Sequence, residues 1–184
     1  MSWKRAFFLI SLGWAFIIFT ASAGWVQPNP QTEVKAPIIT HYYAADKGRF
    51  GFTWKIYIEA EDPNGDMDRI VSEVDQVGYG FYPVDYIRIK PPYRSRLKGY
   101  LQWNTFSNQA PFLREGTQIT LKVSILDKAG NESNKVIFPL EFVVGLGREQ
   151  PKPPAPFDRA DIPRLGNITI NLAEPTAQEP GSNR

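Results

Sequence analysis

Residues 50–60, FGFTWKIYIEA, set Phe52, Trp54, Ile56, Ile58 and Ala60 at alternate positions, with Thr53, Lys55, Tyr57 and Glu59 between them. A period of two over that length is a strand with one buried face, because a helix would bury residues three and four apart. A strand of this kind needs partners, and the chain supplies them. PIITHYY (37–43), VDYIRIK (84–90), LKGYLQW (97–103), TQITLKVSIL (117–126) and VIFPLEFVV (136–144) are β-branched or aromatic runs bounded by turn residues. In 117–126, Ile119, Leu121, Val123 and Ile125 share a face; in 84–90, Val84, Tyr86 and Arg88 oppose Asp85, Ile87 and Ile89, which leaves the inward face open. Pro139 has no N–H for a ladder and predicts an edge or a bulge for the last run. MDRIVSEVDQ (67–76) carries a helix-like stripe at Met67, Ile70, Val71 and Val74, but its β-branched content and its neighbours predict a strand. Seven strands in about 110 residues describe an all-β, two-layer antiparallel sandwich. With 42% apolar residues there is material for its core.

The turns refine this expectation. DKAGNESN (127–134) joins the last two strands and offers Gly130-Asn131 for left-handed backbone, and DPNGD follows the strand at 50–60. This pattern resembles the final hairpin and early turn of bacterial immunoglobulin-like and fibronectin type III-like domains. The resemblance covers residues 35–145 and implies a single immunoglobulin-like β-sandwich of about seven antiparallel strands. The Cys–Trp–Cys arrangement of antibody domains is absent, although Trp54 and Trp103 are candidates for core aromatics.

Outside 35–145 the composition changes. MSWKR is basic, residues 6–23 are uncharged and apolar, and Ala21-Ser22-Ala23 has the small residues of a signal-peptidase site, predicting a signal peptide at 1–23 that exports the remainder. An uncleaved anchor is the alternative, as the run approaches the roughly 20 residues that span a bilayer. Residues 24–34 read as a linker. Residues 146–184 hold seven of the 16 prolines and read as an extended, largely disordered tail, within which NITINL (167–172) alternates Ile168, Ile170 and Leu172 and can form one strand against its own sandwich or a partner.

Charge and residue inventory narrow the chemistry. Of 21 basic and 19 acidic residues, Lys4 and Arg5 belong to the signal segment, so the remainder is balanced and nucleic acid is not an expected partner. With no cysteine there is no disulfide, thiol nucleophile or thiolate metal site, and an exported domain without Cys leans towards a bacterial envelope. His41 is the only histidine, set between strand residues with no serine near it, and no carboxylate spacing singles out a hydrolytic pair; an enzyme is not expected.

Two clusters are candidate sites. Asp62, Asn64, Asp66 and Asp68 alternate in DPNGDMD, and calcium takes about six to eight oxygens. Counted from Asp62, acids or amides fall at EF-hand positions one, three and five and Glu73 at twelve; but Met67 occupies position six, where the loop needs glycine, and a strand leads in instead of a helix. A looser calcium site, joined by Asp127 or Asn131, competes with a turn in which Asp and Asn cap their own backbone. Tyr79, Tyr82, Tyr86, Arg88 and Tyr93 form the second cluster, a candidate ligand surface for sugars, peptide or an acidic polymer, or else core and cross-strand aromatics. The combined expectation is an exported, non-catalytic binding or structural module of the bacterial cell envelope that mediates protein interaction. The alternative is a carbohydrate-binding module or an accessory protein of an envelope glycan enzyme, with an envelope glycan as partner.

Overall fold

The computed structural model describes residues 35–49, 51, 53–105, 115–145, 147 and 151–172, all within the unit Glu33–Arg184. The predicted signal segment 1–23 and linker 24–34, residues Phe50 and Phe52, and residues 146, 148–150 and 173–184 of the predicted tail lie outside these residues. The strands are β1 (Ile38–Tyr43), β2 (Lys47–Gly48), β3 (Thr53–Glu61), β4 (Met67–Gln76), β5 (Gly80–Phe81), β6 (Asp85–Arg88), β7 (Arg96–Asn104), β8 (Gln118–Asp127), β9 (Val136–Phe142) and β10 (Arg164–Ile168), with one 3-10 turn at Pro91–Tyr93.

They form two sheets. Sheet I has the order β1-β3-β7-β10; sheet II has the order β2-β9-β8-β4-β5, with β6 also paired to β4. Strands β1, β3 and β7 stand where A, B and E stand in an immunoglobulin-type sandwich, and β9, β8 and β4 where G, F and C stand. The fold is therefore an all-β, immunoglobulin-like sandwich, as the turns and periodicity predict. Not every pairing is antiparallel: β2 runs parallel to β9 and β10 parallel to β7.

Alternation builds the core as expected. Trp54, Ile56, Ile58 and Ala60 of β3 are fully buried, and the unbroken register from Thr53↔Asn104 to Glu61↔Arg96 sets them beside Leu97, Leu101 and Trp103 of β7. Ile119, Leu121, Val123 and Ile125 of β8 face them from sheet II. Each such side chain contributes about 1.5–3 kcal/mol by leaving water. Trp54 and Trp103 are cross-strand neighbours with ring centroids 5.9 Å apart, and each indole N–H donates to a carbonyl at 2.8 Å: Trp54 to Ala45, Trp103 to Ile170. Strand β4 confirms the β-branched reading of 67–76, with Ile70 and Val74 in the core. Over 84–90 Ile87 of β6 and Ile89 just after it turn to the core and Tyr86 to solvent. Pro139 lies on β9, whose outer side, among the described residues, pairs with the two residues of β2.

The tail departs from its composition. Residues 151–172, read from sequence as part of an extended, largely disordered segment, pack on the sandwich: Phe157 is buried against the outer face of sheet I, and Ile168 and Leu172 join the core. The tail strand, expected over 167–172, lies instead at Arg164–Ile168 and pairs with the chain's own β7. Two glycines permit this. A Cβ on Gly99 would stand 2.5 Å from Leu165 Cγ and 2.6 Å from the Pro163 carbonyl, and one on Gly166 would stand 2.5 Å from Ile87 Cγ2. Strand β10 thus lies along the seam, bonded to β7 of sheet I and packed against β6 of sheet II.

Candidate functional site

The turn after β3 is built by its first residue. Asp62 is buried, and its two carboxylate oxygens accept the backbone N–H of Asn64 at 3.0 Å and of Asp66 at 2.9 Å, while Gly65 closes the turn at φ +71° and donates its N–H to the Asp62 carbonyl. This is the self-capping turn that Asp-Pro-Asn-Gly chemistry favours. The loop after β8 repeats the device: Asp127 accepts both the N–H and the side-chain amide of Asn131 at 2.8 Å. The fold brings the two turns to one end of the sandwich, with Met67 paired to Asp127 and the Lys128 N–H bonded to the Asp66 carbonyl at 3.1 Å.

The four candidate calcium ligands do not converge. Asp68 faces the other way, bonded to Arg69 at 2.9 Å with Arg94 at 3.9 Å. The Arg69 hydrogen bond, helped by attraction to Arg69, Arg88 and Arg94 against opposing burial, holds the Asp68 carboxyl below the usual range. Asn64 is exposed and donates to the Lys35 carbonyl. Among the described residues no group of three or more His, Cys, Asp or Glu is placed to hold a metal ion. Asp66 is the unusual member: its Oδ1 is shut off from solvent without a hydrogen-bond partner. Burial first, then Asp62 as hydrogen-bond partner and like charge, then Asp127, push its carboxyl above the usual range against the pull of Lys128.

The aromatic cluster is likewise split. Tyr82 is buried, stacked on Tyr79 with centroids 4.5 Å apart, and its hydroxyl donates to Gln76 Oε1. Tyr93 sits in the 3-10 turn and, with Ile70, Ile89 and Leu97, lines a small cavity of about 70 Å³. Tyr86 and Arg88 lie on exposed positions of β6, with Arg69 over the Tyr86 ring at 5.9 Å. The five residues named from sequence therefore do not form one surface. What this end of sheet II does present is a ridge at the β4–β5 turn and the start of β6: Val77 is 70% exposed, Phe81 74%, Val84 41% and Tyr86 53%.

Sequence reasoning missed the outer face of sheet I. Tyr43, Tyr57 and Tyr100 come side by side from β1, β3 and β7, and Phe157 of the tail packs on Tyr57 at 5.5 Å. The outward half of the FGFTWKIYIEA alternation, with Lys55 and Tyr57 between buried neighbours, was the signal for it. Burial, then the neighbouring Tyr100 and Tyr43, pushes the Tyr57 hydroxyl above its usual pKa.

No protein-family model matches the chain, and no curated protein matches it. Among solved structures it is similar to the PKD domain of an M14-like peptidase from a Thermoplasmatales archaeon, at 20% identity and TM-score 0.37 over 59% of this chain and 93% of that one. It is also similar to a CARDB domain from Pyrococcus furiosus, a structure in complex with di-metal ions, at 12% identity and TM-score 0.35 over 63% of this chain and 95% of that one. The immunoglobulin-like assignment itself rests on the strand order of the two sheets.

Proposed function

We propose that the chain is an exported, non-catalytic interaction module of the bacterial cell envelope that binds another protein through the β4–β6 end of sheet II. The observation that carries this reading is the ridge of Val77, Phe81, Val84 and Tyr86. Water contact with grouped large apolar side chains is unfavourable, and grouped exposure of this kind marks interaction surfaces more than scattered apolar residues do. Lys122 over the Phe81 ring at 5.5 Å and Arg69 beside Tyr86 are matched by Asp75 opposite Phe81 and by Asp68 at 2.9 Å from Arg69, so the rim is mixed in charge and the ridge favours an apolar partner patch with a polar border. Export is supported by residues 1–23 of the sequence alone, and the envelope by the absence of cysteine from an exported chain.

A photo-crosslinking residue at Phe81 in the expressing cell tests the surface, and mass spectrometry of the fractionated protein tests export. The expected results are one envelope protein captured from Phe81 and lost on Val77→Asp, no capture from Lys47 on the far edge of sheet II, and a mature terminus at Gly24. Equal capture from both positions rejects the surface; a cytoplasmic chain retaining Met1 rejects the location.

A further inference from the structure

The tail does more than cover sheet I. Between residues 152–162 and the strands beneath them lies a cavity of about 380 Å³, in the range of small-ligand sites of about 300–1,000 Å³. Its floor is Tyr57 and Tyr100, with ring centroids 5.6 Å apart, and one wall is the buried Phe157. Lys55 lies over the Tyr100 ring at 5.0 Å, and Lys152 enters from the tail. Among the described residues neither lysine makes an ion pair and neither tyrosine hydroxyl makes a hydrogen bond. Arg159 also lines the cavity but is matched with Asp161 at 3.0 Å, and Lys98 nearby is matched with Glu59 at 3.6 Å.

Four donors thus line one partly apolar cavity, two of them cationic and without an ion pair, with Asp158 as an acceptor in the same lining. Unpaired donors in such a site favour an anion, and the charged ones give the stronger bonds. Asp158 narrows the class. A bare phosphate or sulfate would be repelled by its carboxylate, whereas a ligand carrying hydroxyls beside its anionic group can donate to it. Flat apolar walls with polar groups at the edge suit a sugar ring.

We infer that the cavity between sheet I and the tail is a binding site for an acidic saccharide, the carboxylate meeting Lys55 and Lys152, the ring lying along Tyr57, Tyr100 and Phe157, and a ring hydroxyl donating to Asp158. The tail is then part of the site, since it supplies Lys152, Phe157 and Asp158. The site is separate from the ridge on sheet II and stands or falls apart from it.

Calorimetric titration of the full-length chain with a uronic-acid trisaccharide, the matching neutral trisaccharide and inorganic phosphate tests the inference. The uronate is expected to bind about tenfold or more tighter than either alternative, the scale of one charge-assisted hydrogen bond. Lys55→Gln and Lys152→Gln should each remove most of that preference and flatten its salt dependence while the chain still melts cooperatively, because neither side chain is part of the buried core. Tyr100→Phe should weaken binding several-fold while keeping the packing. No binding at millimolar uronate, equal affinity for the neutral sugar, an equal response to phosphate, or wild-type affinity in both lysine variants overturns it.

Discussion

Asp66 carries a proton problem that its turn does not solve. Its Oδ1 is shielded and unbonded, and Asp62 and Asp127 are close enough to oppose its charge. The folded pKa is therefore raised, so between its ordinary and raised values the folded chain binds more protons than the unfolded one. Stability consequently falls as pH rises through that window and stays lower above it. Asp68 works in the opposite sense: its lowered pKa gives stability present above the ordinary value and lost as pH falls through the folded one. Asp66→Asn isolates the first effect. Its amide remains neutral and can donate to Asp62, so at about pH 7 the variant should melt higher than wild type. That gap should close towards about pH 3. A variant that melts lower than wild type across the range contradicts the account. Millimolar calcium added to the same samples is expected to leave the melting temperature unchanged, since both Asp62 oxygens and Asp68 are already engaged. A rise seen in wild type and lost in Asp66→Asn would instead establish a cation site. The turn was legible because Asp-Pro-Asn-Gly acts through its own backbone. The conflict at Asp66 was not, because Asp127 arrives by pairing β4 with β8, which no local pattern specifies.

Strand β10 shows where element boundaries come from. The alternation of Ile168, Ile170 and Leu172 predicts a strand over 167–172, whereas β10 spans Arg164–Ile168 and leaves Ile170 and Leu172 beyond it, because its position is set by a partner: Leu165 occupies the space over Gly99, and the Tyr100 N–H bonds the Pro163 carbonyl at 3.0 Å. A glycine within the LKGYLQW strand signals a close approach without naming the approaching segment. Gly99→Ala forces the choice. Leu165 can adjust, but the Pro163 carbonyl is backbone, so β10 must shift, at a cost of about 1–3 kcal/mol. Hydrogen exchange at the Tyr100 amide should accelerate along with the loss of stability. Gly147→Ala, whose Cβ meets nothing within 4 Å, is the reference and should behave as wild type. Unchanged exchange at Tyr100 in Gly99→Ala would rule out the lock. Strand β4 was legible for the complementary reason. Its helix-like stripe is the sum of two strand faces, Ile70 and Val74 turned inward and Val71 covered on the outer side of a central strand.

At the scale of the molecule, the tail decides how the sandwich closes. Proline content reads as disorder because prolines cannot supply a ladder, yet a segment lying across a sheet face needs no ladder of its own. Four spaced apolar residues, Phe157, Ile162, Ile168 and Leu172, are too dilute for composition to register, and their value comes from surfaces formed far away in sequence. The two residues that follow β10 join both sheets: Trp103 of β7 donates to Ile170, and the Thr169 N–H donates to Asp85 of β6 at 2.8 Å. Ending the chain at Gly145 should remove more than a peripheral extension. Losing Ile168 and Leu172 from the core alone costs at least about 3 kcal/mol, at about 1.5 kcal/mol or more for each. That corresponds to roughly 6 °C or more for a domain of this size. Trp103 loses its carbonyl acceptor and its cover together, so the tryptophan emission of the shortened chain should shift to longer wavelength. A chain ending at Leu172 keeps every contact named here and is the reference. If the Gly145 form melts with that reference and its emission does not move, the tail is an appendage to a sandwich already closed by β7 and β6. If it melts lower and the Leu172 reference melts in one transition, sandwich and tail fold as a single cooperative unit.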